Sequence, residues 1–503
     1  MNTNKANFIS NVIRSLWSLL SIYLFVPVYI KILGVEAYGL VSFYTTLQAT
    51  LNILGFGLSN SLRREFVKET CNHVEDVTYK FNLLRSVETI YLFIGFVIVL
   101  LCLLFSSILA DKWLNLSNLS IKTVSIVIVI MSISIALNFE TNLWLGCLYG
   151  LNYQFIGNIY YMTWLLAKIT FSIGLTSCFY NSIVAFYSGQ ILADLLYALF
   201  LRAYLKSKLI CDPPAKWKFG NFAVLKNIWK YTIGIFIISI IATVNTEFDK
   251  LIISKIFSLI ELGAYNTAIS LANATNILPS AATITIFSVI TNKISLGKHI
   301  DAVNSYLEIN KTITIFTVCL GCFLAIYAVP IIEFWTNSKI YTKILISSAS
   351  YIIFAKMLLN LQQMPYAMAL ANGNTKINIL ISIIFLPITI SLTYLMIINN
   401  GIKGAAIAGF ILMTFQSLIY IYCVTKQYIN TNALSMISLN ILPCLLISLF
   451  VAYSSFEIIK NIFDDVACQC GVGFIIGIIT LACLLILFDS NVLLTIKQIR
   501  RYL

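Results

Sequence analysis

Charged residues are scarce in this sequence. Asp, Glu, Lys and Arg together make up 11% of its 503 residues, against roughly 25% in soluble domains. So few charges cannot cover a surface that faces water, which argues against a soluble enzyme, a nucleic-acid-binding protein or a secreted disulfide scaffold. Hydrophobic residues make up 59%, so we expect the chain to lie in a lipid bilayer.

Histidine is rarer still, with two residues in the whole chain. The 12 cysteines show no zinc-site spacing, and we interpret them as small apolar residues within helices. We therefore expect no metal site and no bound cofactor. The short loops predicted on the outer side leave little room for the catalytic groups of a membrane polymerase or acyltransferase, so we predict that the protein is not an enzyme.

Long apolar stretches recur along the whole chain. A membrane-crossing helix needs about 20 mostly apolar residues, and fourteen segments meet this requirement. They lie near residues 12–32, 38–58, 88–109, 121–146, 155–178, 183–204, 231–254, 262–290, 310–333, 341–370, 377–398, 404–425, 434–456 and 471–489. We predict an all-α polytopic membrane protein with about fourteen transmembrane helices.

The 33 Lys and Arg residues indicate how these helices are oriented. When the N-terminus is placed in the cytoplasm, the inner segments carry most of the basic residues, as the positive-inside rule requires. An even number of spans then returns the C-terminus to the cytoplasm, and the net charge of +13 needs no nucleic-acid partner. The predicted parts are helices 1–6 (residues 1–205), a cytoplasmic linker (206–230), helices 7–12 (231–425) and two further helices with a tail (426–503).

Two predicted outer hairpins share a sequence pattern. Residues 31–38 and 255–265 match at Lys, Glu, Ala and Tyr, and residues 49–54 resemble residues 274–278. Six spans separate the two hairpins, so we predict two six-helix lobes of the same orientation, related by an axis along the membrane normal. This arrangement suggests alternating access, in which a cavity opens first to one side of the membrane and then to the other.

Short motifs in both halves carry a family resemblance. Those in the first half are Gly34, Glu36, Tyr38 and Gly39, then Asn52, Gly55 and Gly57, then Arg63 and Arg64; those in the second half are Asp249, Lys250, Gly263 and Tyr265. They resemble the signatures of Wzx-type O-antigen and polysaccharide flippases of the multidrug/oligosaccharidyl-lipid/polysaccharide exporter superfamily, which implies a MATE-like fold.

The resemblance also implies an activity, a location and partners. The substrate would be an undecaprenyl-pyrophosphate-linked oligosaccharide repeat unit, flipped from the cytoplasmic to the outer leaflet of a bacterial inner membrane. A gradient of H⁺ or Na⁺ would drive the transport, and the product would enter O-antigen or capsule synthesis. The polysaccharide polymerase and the chain-length machinery are the candidate protein partners.

Basic residues within or beside the spans are candidates for binding the pyrophosphate, since a charge in hydrocarbon costs several kcal/mol unless it is paired or hydrated. The candidates are Arg14, Arg63, Arg64, Lys168, Lys250 and Lys356. Lys168 and Lys356 are predicted at similar depth, one in each lobe. Lys168 could instead pair with Asp194 on the neighbouring span, and Arg63 and Arg64 could serve only to anchor the inner face.

Carboxylates suit the coupling ion, because a buried acid can exchange a proton or ligate Na⁺. The candidates are Glu140, Asp194, Glu247 and Asp249. Asp249 could also pair with Lys250 or hold the lobes together. The alternative function is multidrug or metabolite export on the same fold, for which mid-span residues should be mainly acidic and aromatic, whereas Lys168 and Lys356 favour an anionic substrate.

Overall fold

The computed structural model describes residues 3–67, 73–179, 182–208, 225–226, 228–429 and 441–488. Over these ranges the secondary structure is helical, and the only extended pairing is an isolated bridge between Asn115 and Ser258. The predicted all-α architecture is therefore confirmed. The chain forms two compact units, Met1–Gly263 and Ala264–Leu503.

The first unit consists mainly of long helices, with a π-helical turn at Leu109–Trp113. Its helices are α1 (Thr3–Leu33), α2 (Val35–Leu51), α3 (Ile53–Val67), α4 (His73–Ile108), α5 (Ile121–Gly150), α6 (Gln154–Cys178), α7 (Ile183–Lys208), α8 (Trp229–Ile256) and the first part of α9 (Leu259–Ala272).

The second unit begins within α9 and continues through a 3₁₀ turn at Asn273–Asn276. Its further helices are α10 (Ile277–Ser295), α11 (His299–Ile326), α12 (Ala328–Thr336), α13 (Lys339–Leu345), α14 (Ala349–Leu361), α15 (Gln363–Ala371), α16 (Lys376–Val424), α17 (Leu442–Ile462) and α18 (Val466–Phe488).

Eight helices of the described chain are long and apolar enough to cross a membrane, or nine if the bent pair Lys339–Leu345 and Ala349–Ala371 forms one span. One of the eight, Lys376–Ile429, covers both the eleventh and the twelfth predicted spans. It is interrupted at Gly401, whose φ of 61° suits a residue without a Cβ atom. Other predicted spans are divided between shorter helices, so the number of fourteen crossings stays a prediction.

The second predicted span is broken in its middle. α2 ends at Leu51, Asn52 forms a turn and α3 follows at once. The hydroxyl of Tyr91 on α4 donates a hydrogen bond to the carbonyl oxygen of Gly55 in the first turn of α3. A polar side chain buried in the helix packing thus supports the broken segment, as is usual for interrupted helices in membranes.

The eighth predicted span is broken at the equivalent place in the repeat, by the 3₁₀ turn between α9 and α10. Asn360 Nδ2 donates to Thr275 Oγ1 at 2.7 Å, and Gln363 Nε2 donates to Asn276 Oδ1 at 2.5 Å. Residues 49–54 and 274–278, which the sequence comparison aligned, therefore both contain a helix break at an asparagine. The alignment identified a shared structural feature.

The loop after α4 ties together the ends of several helices in the first unit. The buried carboxylate of Glu36 on α2 accepts hydrogen bonds from the backbone N–H groups of Ser117, at 2.6 Å, and Asn118, at 2.8 Å. Asn115 Nδ2 donates to the carbonyl oxygens of Lys255 and Phe257, each at 3.2 Å. Both hairpins of the predicted repeat are thus bonded to residues 115–118.

Close packing at α2 depends on a missing side chain. A Cβ atom at Gly39 would overlap the backbone carbonyl of Leu259, and one at Gly57 on α3 would lie 2.7 Å from the carbonyl oxygen of Thr232 on α8. Small residues allow helix backbones in membranes to approach closely. The close approach of α3 and α8 at Gly57 is consistent with the place of α8 in the first compact unit.

Parts of the predicted domain organisation fall where the structure gives no description. Residues 209–224 and 227 of the linker, and the tail from residue 489 onwards, lie outside the described residues. The predicted lobe boundaries at residues 205, 231 and 425, and the cytoplasmic position of both termini, therefore stay predictions.

Candidate functional site

A cavity of about 420 Å³ lies in the first unit, between α1, α3, α4 and α5. This volume is within the range of small-molecule binding sites. The lining combines two arginines with amide, hydroxyl and aromatic side chains. It consists of Arg14, Asn52, Gly55, Ser59, Asn60, Arg63, Tyr91, Phe139, Asn142, Leu145, Gly146 and Tyr149.

Arg14 reaches the cavity from α1. Its Nη1 atom donates a hydrogen bond to the hydroxyl oxygen of Tyr149 at 2.5 Å. Its guanidinium carbon lies 4.0 Å from the ring centroid of Tyr161 and 5.8 Å from that of Tyr149. Cation–π contacts of this length are attractive but leave the positive charge in place, so the guanidinium can still attract an anion.

Arg63 reaches the same cavity from α3. Its guanidinium carbon lies 5.4 Å from the ring centroid of Tyr149, so one aromatic ring contacts both arginines. Neither Arg14 nor Arg63 forms an ion pair with a carboxylate of the described chain. The cavity therefore carries two uncompensated positive charges, which favour an anionic ligand.

Polar uncharged groups complete the cavity wall. The Oδ1 atom of Asn52 is buried and accepts no hydrogen bond from any described residue. Ser59 Oγ donates to the backbone carbonyl of Asn142 at 3.3 Å. The break between α2 and α3 thus places an unused hydrogen-bond acceptor in the wall that carries Arg63.

Glu140 is buried on α5, and neither of its oxygens accepts a hydrogen bond from the described residues. The neighbouring acid Glu88, which interacts electrostatically with Glu140, has several hydrogen-bond donors and cations around it. Arg85 donates to Glu88 at 3.0 Å and Trp144 at 2.7 Å, and Arg202 lies 3.6 Å away. Of these two neighbouring acids, only Glu140 lacks hydrogen-bond donors.

Asp194 is buried on α7 and forms an ion pair with Lys168 of α6, with 3.6 Å between Nζ and Oδ1. Trp164 Nε1 donates to Oδ1 at 2.8 Å, and the hydroxyl of Ser134 donates to Oδ2. The Lys168–Asp194 pairing raised as an alternative from the sequence is therefore present, and Lys168 already has an anionic partner.

The candidates on α8 also pair locally. Lys250 Nζ lies 2.7 Å from Glu247 Oε2, one helix turn earlier. The Oδ1 atom of Asp249 accepts the backbone N–H of Lys250 at 2.8 Å. Lys250 therefore pairs with Glu247, and none of the three residues lines the cavity.

The remaining basic candidates are placed elsewhere. Arg64 is exposed on α3 and is not among the residues that line the cavity, because one helix step turns its side chain about 100° away from that of Arg63. Lys356 is half-buried on α14 in the second unit. Of the six basic residues predicted from sequence, the structure brings Arg14 and Arg63 together at one cavity, and substrate binding by any of the six stays a prediction.

Sequence reasoning missed the polar residues that hold the cavity in shape. Tyr149 near the end of α5 and Asn158 in the second turn of α6 face each other across the hairpin, and the tyrosine hydroxyl donates to the asparagine Oδ1. Tyrosines near span ends usually mark the membrane interface, so the sequence offered no signal for this role. Their proximity to Arg14 becomes visible only in the folded structure.

Residues 5–293 match a family model described as "Polysaccharide biosynthesis protein". The chain belongs to this family. The matched region includes α1, α3, α4 and α5, so the cavity lies wholly within the part of the chain that defines membership. None of the curated protein sequences gives a match.

Solved structures establish the fold of this polysaccharide biosynthesis protein. A structure of lipid II flippase MurJ in an inward closed conformation superposes with a TM-score of 0.72 at 18% identity, covering 96% of this chain and all of that one. An inward-facing MATE multidrug transporter gives a TM-score of 0.61 at 13% identity, covering 82% and 95%. A superfamily transporter from Pyrococcus furiosus gives 0.57 at 14%, covering 84% and 96%.

At these identities the likeness concerns the fold. The predicted MATE-like fold and the resemblance to polysaccharide flippases are both confirmed. The protein is a multi-pass membrane protein of the polysaccharide biosynthesis family, with a fold similar to those of the MurJ and MATE structures.

Proposed function

We propose that the protein flips an undecaprenyl-pyrophosphate-linked oligosaccharide repeat unit from the cytoplasmic to the outer leaflet of a bacterial inner membrane, by alternating access. The observation that carries this proposal is the pair Arg14 and Arg63, which share a cavity and have no carboxylate partner among the described residues. The family match to polysaccharide biosynthesis and the MurJ-like fold support the same substrate class.

The cavity chemistry suits the headgroup of such a lipid. A diphosphate cannot cross hydrocarbon without neutralisation, and guanidinium groups form charge-assisted, bidentate hydrogen bonds with phosphate oxygens. Asn52 and Asn142 can meet the hydroxyl or amide groups of the adjoining sugar, while the lipid tail stays in the bilayer. The flipped product would enter O-antigen or capsule synthesis, where a polysaccharide polymerase and its chain-length machinery would use it.

We extend the proposal to ion coupling through Glu140. An ionised carboxylate that is buried without donors is costly, and binding a proton or Na⁺ removes that cost. Asp194 has an ion pair and two hydrogen bonds already, and Glu247 is paired with Lys250. Asp249 accepts the backbone N–H of Lys250. Among the predicted coupling residues, Glu140 is therefore the one whose buried carboxylate oxygens accept no hydrogen bond from the described residues.

The second candidate function is export of a drug or metabolite, which the fold likeness to a MATE multidrug transporter favours. The charge of the cavity distinguishes the two. Arg14 and Arg63 would repel a cationic drug, whereas either would attract an anion. Efflux of a cationic dye by the reconstituted protein would support export over flipping.

A flipping assay in proteoliposomes tests the proposal. The purified protein is reconstituted with a fluorescent undecaprenyl-diphosphate sugar, and a membrane-impermeant quencher reports the fraction in the outer leaflet. We expect Arg14→Gln and Arg63→Gln each to slow flipping about tenfold or more, because each removes a charge-assisted contact worth roughly 1.5–3 kcal/mol.

Lys122→Gln is the matched control, since it removes an exposed cation at the start of α5, and its flipping rate should equal that of the wild type. Wild-type flipping by the protein that carries both arginine substitutions would show that the cavity does not bind the headgroup.

A further inference from the structure

We propose that Tyr149 and Asn158 are positioning residues that fix the orientation of Arg14 toward its anionic ligand. This inference rests on the proposed function, because it concerns how the same cavity presents its charge. It is carried by a continuous chain of hydrogen bonds that joins α1, α5 and α6 and ends at the guanidinium group.

The chain starts at Asn158, whose side chain is fully buried, with 0% exposure. Its Nδ2 atom donates to Ser10 Oγ at 2.9 Å and to Asn11 Oδ1 at 2.7 Å. An amide nitrogen has two N–H donors, and both are used on α1. The Oδ1 atom of Asn158 must therefore point to the other side, where Tyr149 lies.

The direction of the next bond follows from the first. Tyr149 has one hydroxyl hydrogen, and it is donated to Asn158 Oδ1. The hydroxyl oxygen can then act only as an acceptor toward the cavity, and Arg14 Nη1 donates to it at 2.5 Å. Tyr149 is thus unable to donate to a phosphate, and its contribution to anion binding passes through Arg14.

This bond determines what Arg14 offers to a ligand. A guanidinium group has five N–H donors in a fixed plane. One is held by Tyr149, and the aromatic faces of Tyr161 and Tyr149 lie 4.0 and 5.8 Å from the guanidinium carbon. The remaining donors are held in one orientation before the ligand arrives, which lowers the entropic cost of binding.

The far end of the chain is itself anchored. Asn7 on α1 donates to the carbonyl oxygen of Asn152 at 3.3 Å, and its Oδ1 accepts the backbone N–H of Phe155 at 3.1 Å. Asn11 Nδ2 donates to Gln154 Oε1 at 2.9 Å. The start of α1 is therefore bonded to the α5–α6 hairpin. These bonds hold Ser10 and Asn11, the two acceptors of Asn158 on α1, in place, and so fix the side chain of Asn158 that accepts from Tyr149.

A double-mutant cycle tests the inference, with inorganic pyrophosphate as the ligand and the detergent-purified full-length protein as the receptor. Affinity is measured by titration calorimetry for the wild type, Tyr149→Phe, Arg14→Gln and the double variant. Tyr149→Phe keeps the ring and removes the hydroxyl. We expect it to weaken binding about tenfold when Arg14 is present, and less than about twofold in the Arg14→Gln background.

Tyr160→Phe is the matched control, because the same atom is removed from a tyrosine of α6 whose ring packs on Tyr204. It should bind pyrophosphate like the wild type. Asn158→Ser is the second variant, in case Tyr149→Phe lowers the yield of folded protein. It breaks the chain one step earlier and should also weaken binding only when Arg14 is present.

The outcomes separate this inference from the proposed function. If Arg14→Gln weakens binding and Tyr149→Phe has no effect, or has the same effect in both backgrounds, the positioning role is wrong while the arginine site stands. If Arg14→Gln leaves the pyrophosphate affinity unchanged, the arginine site fails and the positioning role fails with it.

Discussion

At the scale of single residues, the charged side chains of the first unit divide into those that pair with an opposite charge and those that do not. Asp194 and Lys168 compensate each other, and Arg85 and Arg202 compensate Glu88. Arg14, Arg63 and Glu140 have no such compensation from the described chain. Glu140 is buried, so its ionised form is expensive without a partner, and binding an ion would remove that cost. Arg14 is half-buried and Arg63 is exposed, so both guanidinium groups stay available to an anionic ligand.

The difference between Asp194 and Glu140 gives a testable contrast. Asp194→Asn should lower thermal stability in detergent by about 3 kcal/mol, because removing one partner of a buried ion pair leaves the other uncompensated. Glu140→Gln should leave stability unchanged or higher and abolish the dependence of flipping on the ion gradient.

Both variants are tested by measuring thermal unfolding and gradient-driven flipping on the same preparations. A stable Asp194→Asn protein would contradict the structural role of the pair, and gradient-dependent flipping by Glu140→Gln would contradict coupling at that site.

At the scale of elements, much of the helical layout follows from the sequence. Apolar runs identify the positions of α1, α4, α5, α6, α7 and α8. The two helix breaks were not predicted from the sequence, because the apolar runs indicate continuous spans there, although both breaks lie in the segments that the repeat aligned. The Lys168–Asp194 pair was foreseeable because the two residues lie at equal depth on neighbouring spans. The Arg14–Tyr149–Asn158 chain was not, because it depends on how α1 and the α5–α6 hairpin rotate against each other, which hydropathy does not specify.

The close contact between α2 and the start of α9 leads to a prediction about stability. Gly39→Ala should destabilise the protein by about 1–3 kcal/mol, because the new methyl group meets the carbonyl of Leu259 and the backbones must separate. Gly409→Ala on α16 is the control, with nothing within 4 Å of the added atom; it should be neutral or stabilising by up to about 1 kcal/mol. Equal melting temperatures for the two variants would rule out the close contact.

At the scale of the whole molecule, the charge distribution predicts topology. Basic residues are concentrated on the segments assigned to the inside, so both termini and the linker should be cytoplasmic. Fusions of a reporter that is active only in the cytoplasm, placed after residues 215 and 503, should both give signal. An outer-side signal from either fusion would overturn the orientation and, with it, the proposed direction of flipping.

The bonds between Glu36 and the loop after α4 also determine which substitutions the protein can accept. Ser117 and Asn118 contribute their main-chain N–H groups, which every residue except proline possesses. A saturation library scored by complementation should therefore tolerate nearly any side chain at these two positions, reject proline, and retain Glu36 almost without exception. The side chains of this loop can therefore change while its structure is kept, because the carboxylate of Glu36 bonds only to main-chain N–H groups.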